Sequence, residues 1–342
     1  MDRGVVLSAP GAVGLEQIIV EEPGPGEVSV RIEASGVCHT DLHVVAEDGW
    51  GHRLPVLLGH EGAGTIEEVG DGVTGVEPGD RVVLGWKTSC GECEYCARGQ
   101  PRRCKRPPAA GPRLRRAEGS VLSPVLRTGT YATRTVVPAA AAVKVPRELP
   151  TEQACLIACA VATGVMSVLE TAHVWDGAKV AVIGCGAVGL SVVQGARIAG
   201  ATQIRAIDVD ARKQQQALRF GATHTGEGPV DFAFDVVGRR STFELALGLL
   251  AGGGTAVLIG LSPRGEKAEV DLPRFFAKRT TVLTSHGGDH LPVEDFPRLA
   301  QWALDGELDL AGMVTRRIRL EDAPQALRDL DSGDAIRSVI VL

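Results

Sequence analysis

Aromatic side chains are scarce in this sequence. Two tyrosines, four tryptophans and seven phenylalanines make up 4% of 342 residues, so valine, leucine, isoleucine and alanine must fill the interior. Hydrophobic residues still reach 44%, enough for a full core, and the length suits two domains rather than one. Positive charge is not in excess. The formal net charge is -6, which argues against general affinity for nucleic acid or acidic membrane. No apolar run approaches the ~18–20 residues of a membrane span. The opening stretch, MDRGVVLSAPGAVGLEQ, lacks the charged-then-apolar pattern of a signal peptide. The expectation is a cytoplasmic, reducing setting, with neither nucleic acid nor membrane as partner. Clustered cysteines there more often bind metal than form disulfides.

Of the eight cysteines, four fall in CGECEYCARGQPRRC (90–104), at Cys90, Cys93, Cys96 and Cys104. Charged neighbours place this cluster on an exposed loop. Four thiolates on one short loop close a tetrahedral zinc shell and leave no position for water or substrate. The cluster therefore reads as a structural zinc site that orders a loop with little core of its own. The bland alternative is a free thiol or redox cluster. Just beyond it, RRCKRPPAAGPRLRR (102–116) carries seven positive charges. It reads as a solvated, mobile loop, or else as a basic rim that attracts an anionic substrate.

The first part of the chain is β-rich and glycine-punctuated. EVSVRIEASGV (27–37) alternates at period 2, and GTIEEVGDGV (64–73) and DRVVLGW (80–86) read as further strands. After Pro150 the texture changes. TEQACLIACAVATGVMSVLETAHV (151–174) is small, apolar and helical. Strands KVAVIG, IRAID, FAFDVVG, TAVLIG and TTVLTS then alternate with helices over 188–199, 210–220 and 241–251. That alternation predicts an α/β domain with a doubly wound parallel sheet covered on both faces. Two helical runs follow, and the apolar ending SVIVL is expected to pair back into the first domain.

GCGAVG (184–189) fits G-x-G-x-x-G between a strand and a helix, with Asp208 nineteen residues after Gly189. In that context the pattern is the Rossmann dinucleotide fingerprint. Gly184 permits the tight turn, Gly186 lets the backbone approach a pyrophosphate, and Gly189 lets helix pack on strand. Asp208 would accept from the adenosine ribose hydroxyls and repel a 2′-phosphate, which favours NAD over NADP. Lys213 is placed to help at the ribose, or is simply a solvated helix lysine.

A working metal would need an open shell. Cys38, His60 and Cys159, from three distant points, would leave a fourth position free. Spacing does not decide this. Taken singly, a buried Cys38 or Cys159 is more often simple core, and His60 a satisfied polar group.

GVCHTDLH, GHEGAG, the cysteine cluster, CLIACAVATG and GCGAVG occur in one order over nearly the whole chain. Together they closely resemble the medium-chain, zinc-dependent alcohol dehydrogenases. DFAFDVVGR and SGDAIRSVIVL are similar to the animal-type, class III-like branch, here as a bacterial member. The resemblance implies a GroES-like catalytic domain over 1–160 and 287–342 around a Rossmann domain over 161–286. It implies two zinc ions per chain: a catalytic one on Cys38, His60 and Cys159, with Glu61 behind it and able to approach, and a structural one on the cluster. Asp41 would orient the metal site. An alcohol ionised at the zinc would pass hydride to NAD, and its proton from Thr40 through the nicotinamide ribose to His43. Thr163 and Val188 would touch the nicotinamide, and His39 and Arg337 the pyrophosphate. Trp86 would line the substrate pocket, while Arg106 to Tyr131 departs from the animal-type pattern. Relatives imply a homodimer or homotetramer, for whose pairing edge TTVLTS is a candidate. The alternatives are a thiol-adduct formaldehyde dehydrogenase, a biosynthetic reductase, an enzyme that retains its cofactor and, remotely, a zinc-ribbon module that binds nucleic acid.

Overall fold

The strand Glu27–Gly36 organises the first half of the chain. Its polar and apolar alternation predicts one wet face, yet most of it is buried. It is a central strand, paired antiparallel with Glu61–Val69, Arg134–Pro138 and Arg337–Val341. In this computed structural model, which describes all 342 residues except the side chain of Asp331, these strands belong to a seven-stranded sheet. Val28, Val30, Ile32, Ile66, Val82 and Leu84 fill its core. The aliphatic filling expected from the aromatic shortage is what is found. The ending SVIVL pairs with Ala34 to Gly36 and lies parallel to Val314–Ile318. A five-stranded sheet, including Asp2–Ala9 and Ala12–Val20, completes this part.

Contacts divide the chain into Met1–Cys159 with Leu291–Leu342, and Ala160–His290. The second unit carries a parallel sheet of six strands. Lys179–Ile183 is central, with Gln203–Ile207 on one side and Val230–Asp235 on the other. The chain order therefore reverses at Lys179–Ile183, the place where open α/β sheets bind ligands beyond their carboxyl ends. The fingerprint turn starts there.

The stretch 151–174 is not the continuous helix its composition predicts. Helix Thr151–Ala154 passes into a 3-10 turn Cys155–Ala158 and stops at Cys159, whose φ of -140° and ψ of -74° lie outside the helix region. Helix Ala160–Met166 then begins the second unit. Among the described residues, no single helix is long and apolar enough to cross a membrane.

Candidate active site

Cys38 lies in the short link after the central strand and is the N-cap residue of helix His39–Ala46. Glu61 begins the neighbouring strand Glu61–Val69, His60 immediately precedes it, and Cys159 occupies the helix break. The first unit thus brings four distant residues together. The ligand atoms of Cys38, His60, Glu61 and Cys159 lie within 4.8 Å of one another. His60 and Glu61 are fully buried. His60 Nδ1 lies 3.0 Å from Asp41 Oδ2. That contact assigns the ring proton to Nδ1 and leaves Nε2 as a lone-pair donor. Nε2 is buried with no hydrogen-bond partner, as is Glu61 Oε2, while Glu61 Oε1 faces the Arg337 guanidinium at 3.1 Å. A buried imidazole nitrogen facing two thiols has one natural partner, a soft to borderline metal cation, and this donor set fits zinc.

Electrostatics in this pocket are tightly coupled. The hydrogen bond from Cys159 and, against its own burial, the charge of Arg337 hold the Cys38 thiol well below its usual range. Cys159, as donor of that bond and by burial, is pushed up. Burial raises Glu61 to about 8 against the pull of Arg337. Asp41 is itself fixed: Oδ1 accepts from the Gly59 N–H at 2.8 Å and Oδ2 from the Tyr131 hydroxyl at 3.1 Å.

The cysteine cluster has the geometry of a closed shell. Sγ to Sγ distances are 3.5 Å for Cys93–Cys96, 3.6 Å for Cys90–Cys104 and 3.9 Å for Cys93–Cys104. Zinc–sulfur bonds of about 2.3 Å give a tetrahedron with edges of about 3.8 Å. In the second unit, Gly184 has φ +98°, which a side chain rarely adopts. A Cβ on Gly189 would fall 1.8 Å from the Gly184 carbonyl oxygen. Gly186 caps helix Ala187–Ile198 without a side-chain hydrogen bond, so the first helical N–H groups face outward. The Asp208 carboxylate accepts from the Cys185 N–H at 2.7 Å, which sets it beside this turn.

Family comparisons agree with both halves of this picture. Residues 24–147 match the alcohol dehydrogenase GroES-like domain, and residues 187–305 match the zinc-binding dehydrogenase family. S-(hydroxymethyl)glutathione dehydrogenase of Saccharomyces cerevisiae is 32% identical, over 98% of this chain and 95% of the relative. The chain belongs to the medium-chain, zinc-dependent alcohol dehydrogenases. It is an oxidoreductase of that family with the expected GroES-like plus Rossmann architecture. Among solved structures, an alcohol dehydrogenase zinc-binding domain protein from Burkholderia ambifaria superposes with a TM-score of 0.94 at 32% identity, covering 100% of this chain and 98% of its own. Benzyl alcohol dehydrogenase from Acinetobacter calcoaceticus gives 0.92 at 26% identity, covering 100% and 99%.

Other expected residues of the dehydrogenase lie as follows. Thr40 and His43 are half-buried on helix His39–Ala46, and His39 is exposed at its start. Thr163 is buried in helix Ala160–Met166, which meets helix Ala187–Ile198 so closely that a Cβ on Gly164 would fall 2.5 Å from the Val188 carbonyl oxygen. Lys213 is half-buried in helix Ala211–Arg219. Arg337, the second residue expected at the pyrophosphate, is held from within the first unit. It is 5% exposed, donates to the Val37 carbonyl at 2.7 Å and lies 3.1 Å from Glu61. A buried carboxylate beside the metal group draws the cation inward.

Tyr131 is the site residue that the sequence reading missed. Its hydroxyl bonds Asp41 and the Gly36 carbonyl. The one signal was its rarity, as one of two tyrosines. The basic stretch is a loop over 104–113, with Lys105 and Arg106 exposed, but it is not a free cationic rim. Six of its seven cations face carboxylates: Arg102 with Asp295, Lys105 with Glu94, Arg106 with Glu92, Arg113 with Glu27, Arg115 with Glu21 and Arg116 with Glu16. Leu114–Arg116 is a strand paired with Ala12–Val20.

Proposed function

We propose that this dehydrogenase couples oxidation of a primary or secondary alcohol to reduction of NAD, reversibly, in the cytoplasm. The observation that carries the reading is the buried His60 Nε2 facing the thiols of Cys38 and Cys159. Cys38, His60 and Cys159 would hold the catalytic zinc, with Glu61 behind it, and the four-cysteine lobe would hold the structural one. Bound zinc supplies Lewis acidity that makes an alcohol acidic near neutral pH. Asp41 fixes the His60 tautomer that leaves Nε2 free to bind. Thr40 Oγ holds the departing proton, and His43, three residues on along the same helix face, hands it to solvent. Gly184, Gly186, Gly189 and Asp208 bind the dinucleotide. Lys213 assists at the ribose, Thr163 and Val188 shape the nicotinamide end, and His39 lies near the pyrophosphate. Residues 1–160 with 287–342 act as the catalytic domain, and 161–286 as the cofactor domain. Strand Thr281–Thr284, an exposed sheet edge beside the exposed Leu272 and Phe276, would pair two copies into a dimer.

A second reading, oxidation of hydroxymethyl-thiol adducts, follows the activity named for the curated relatives. The neutralised basic stretch weighs against capture of an anionic conjugate. An NADH absorbance assay over small, benzylic and terpenoid alcohols and hydroxymethyl-thiol adducts separates the two. Turnover of free alcohols supports the first reading, and turnover of adducts alone overturns it.

A further inference from the structure

The four-cysteine lobe has almost no core: Cys93 is its one fully buried side chain from 90 to 104. It nevertheless reaches a buried partner. Two residues before Cys104, Arg102 points into helix Pro292–Leu304. Its Nη1 lies 2.5 Å from Asp295 Oδ2, its Nη2 3.5 Å from Asp295 Oδ1 and 3.0 Å from Glu294 Oε2. Asp295 is 1% exposed, and the same Oδ2 accepts from the Leu291 N–H at 2.7 Å, closing the first turn of that helix. Arg298 stands 3.8 Å away as a weaker second cation. A planar guanidinium on a buried carboxylate fixes direction as well as distance.

The clamped helix touches two parts of the proposed catalytic centre. At its start, Pro292 and Phe296 press on Gly85, where an added Cβ would fall 2.8 Å from Pro292 and 3.4 Å from Phe296. Gly85 precedes Trp86, the expected pocket residue. The helix also packs against the 3-10 turn Cys155–Ala158, which delivers Cys159. All of these residues lie in the first unit.

We infer that Arg102 and Asp295 are a positioning pair that couples the two metal centres: the filled lobe seats helix Pro292–Leu304, which holds the Cys155–Ala158 turn and so the metal ligand Cys159. The lobe thereby acts on the catalytic site as well as on its own loop. This rests on the assignment of zinc to Cys38, His60 and Cys159. The coupling is specific to charge and fork geometry. Asparagine at 295 loses the clamp, lysine at 102 keeps charge without the fork, and neutralising both partners removes the stranded buried charge.

The test is zinc release from the purified holoprotein into a chromophoric chelator, without substrate. Cys38→Ser and Cys104→Ser identify the catalytic and lobe phases. Arg102→Gln is expected to speed the catalytic phase about tenfold, in the range for outer supports of metal ligands. Asp295→Asn should speed it too, Arg102→Lys less, and Arg102→Gln/Asp295→Asn should return toward wild type. Cys104→Ser should speed it as much as Arg102→Gln, with no further gain when the two are combined. Arg134→Gln, whose partners are Asp2 and Val20, controls for simple loss of stability. An unchanged catalytic phase in Asp295→Asn and Arg102→Gln overturns the coupling, as does equal acceleration by the control. If Arg102→Gln does not fold, Asp295→Asn and the double variant decide. Equal zinc content in Cys38→Ser and wild type would instead overturn the underlying metal assignment.

Discussion

At the scale of single residues, Asp41 does more than its short side chain advertises. It receives Gly59 N–H, Tyr131 hydroxyl and the His60 ring in one buried pocket. Asp41→Asn keeps the shape but turns one acceptor into a donor, which faces the His60 ring or the tyrosine hydroxyl. Affinity for the catalytic metal should fall roughly 10–100-fold, read by equilibrium dialysis with the lobe metal as internal control. Asp208 invites a different measurement. A phosphate about 4 Å from a carboxylate costs roughly 1–4 kcal/mol, depending on local dielectric. Asp208→Ala should therefore raise the NADP to NAD ratio of kcat/KM by about tenfold or more, and an unchanged ratio would place ribose recognition elsewhere. These residues differ in how readable they were. Asp208 follows its glycines at a spacing that encodes strand and helix lengths. Cys38, His60 and Cys159 have no mutual spacing, because their proximity is made by two sheet strands and a helix break. The resemblance supplied them. Tyr131 had neither route, since its partners lie 90 and 95 residues away.

Elements built on a repeating period could be read; elements bent by tertiary demands could not. Five strands of the parallel sheet and the helices between them stand within a few residues of their expected bounds, because fully buried strands are apolar runs and the helices are flanked by glycine. The stretch 151–174 defeats such reading. Cys159 sits among alanines and valines that favour helix on both sides, and nothing local marks the break. The short helix His39–Ala46 was hidden likewise, its eight residues too few for a periodic signal. Where two helices meet, one atom decides. A Cβ on Gly164 would stand 2.4 Å from Ser191 Cβ and 2.5 Å from the Val188 carbonyl oxygen. Gly164→Ala must push helix Ala187–Ile198, with Gly186 at its start, away from its seat. Overpacking of this kind costs about 1–3 kcal/mol, and NAD affinity should fall along with the melting temperature. A variant that loses stability but binds NAD as tightly as wild type would mean that the turn moves with the helix as a rigid piece.

Across the whole molecule, charge is organised as a web of pairs rather than as patches, a feature that composition hides. Net charge -6 and a run of seven cations in fifteen residues read as a basic spot on an acidic body. Folding instead sets six of the seven opposite carboxylates, and those of Arg102, Arg113, Arg115 and Arg116 lie far away in sequence. Glu27 shows what this does to stability. It accepts from the Gly111 N–H at 2.6 Å, the Gly24 N–H at 2.8 Å and Arg113 Nε at 2.9 Å, so it fastens the former basic loop to the central strand. Burial by itself raises its pKa. The two backbone donors and Arg113 outweigh that and hold the carboxyl below its usual range. A folded pKa below the unfolded one means that the folded state favours the ionised form. The stabilisation is then complete above the unfolded glutamate value of about 4.3 and disappears as pH falls through the lower folded value. Glu33, lowered in the same sense against its burial by Thr65, Thr151 and Arg81, titrates in the same direction. Glu27→Gln should therefore lose roughly 1.5–3 kcal/mol at pH 7, the value of a charged hydrogen bond. Its deficit in melting temperature should shrink as pH is lowered from above 4.3 to below the folded value, where wild type has lost the same interaction; the acid response of Glu33 and of other lowered carboxyls such as Asp80 and Glu152 is common to both proteins. A deficit that stays constant down the whole acid limb would show that Glu27 acts through shape and neutral hydrogen bonds, and that its charge adds nothing to the fold.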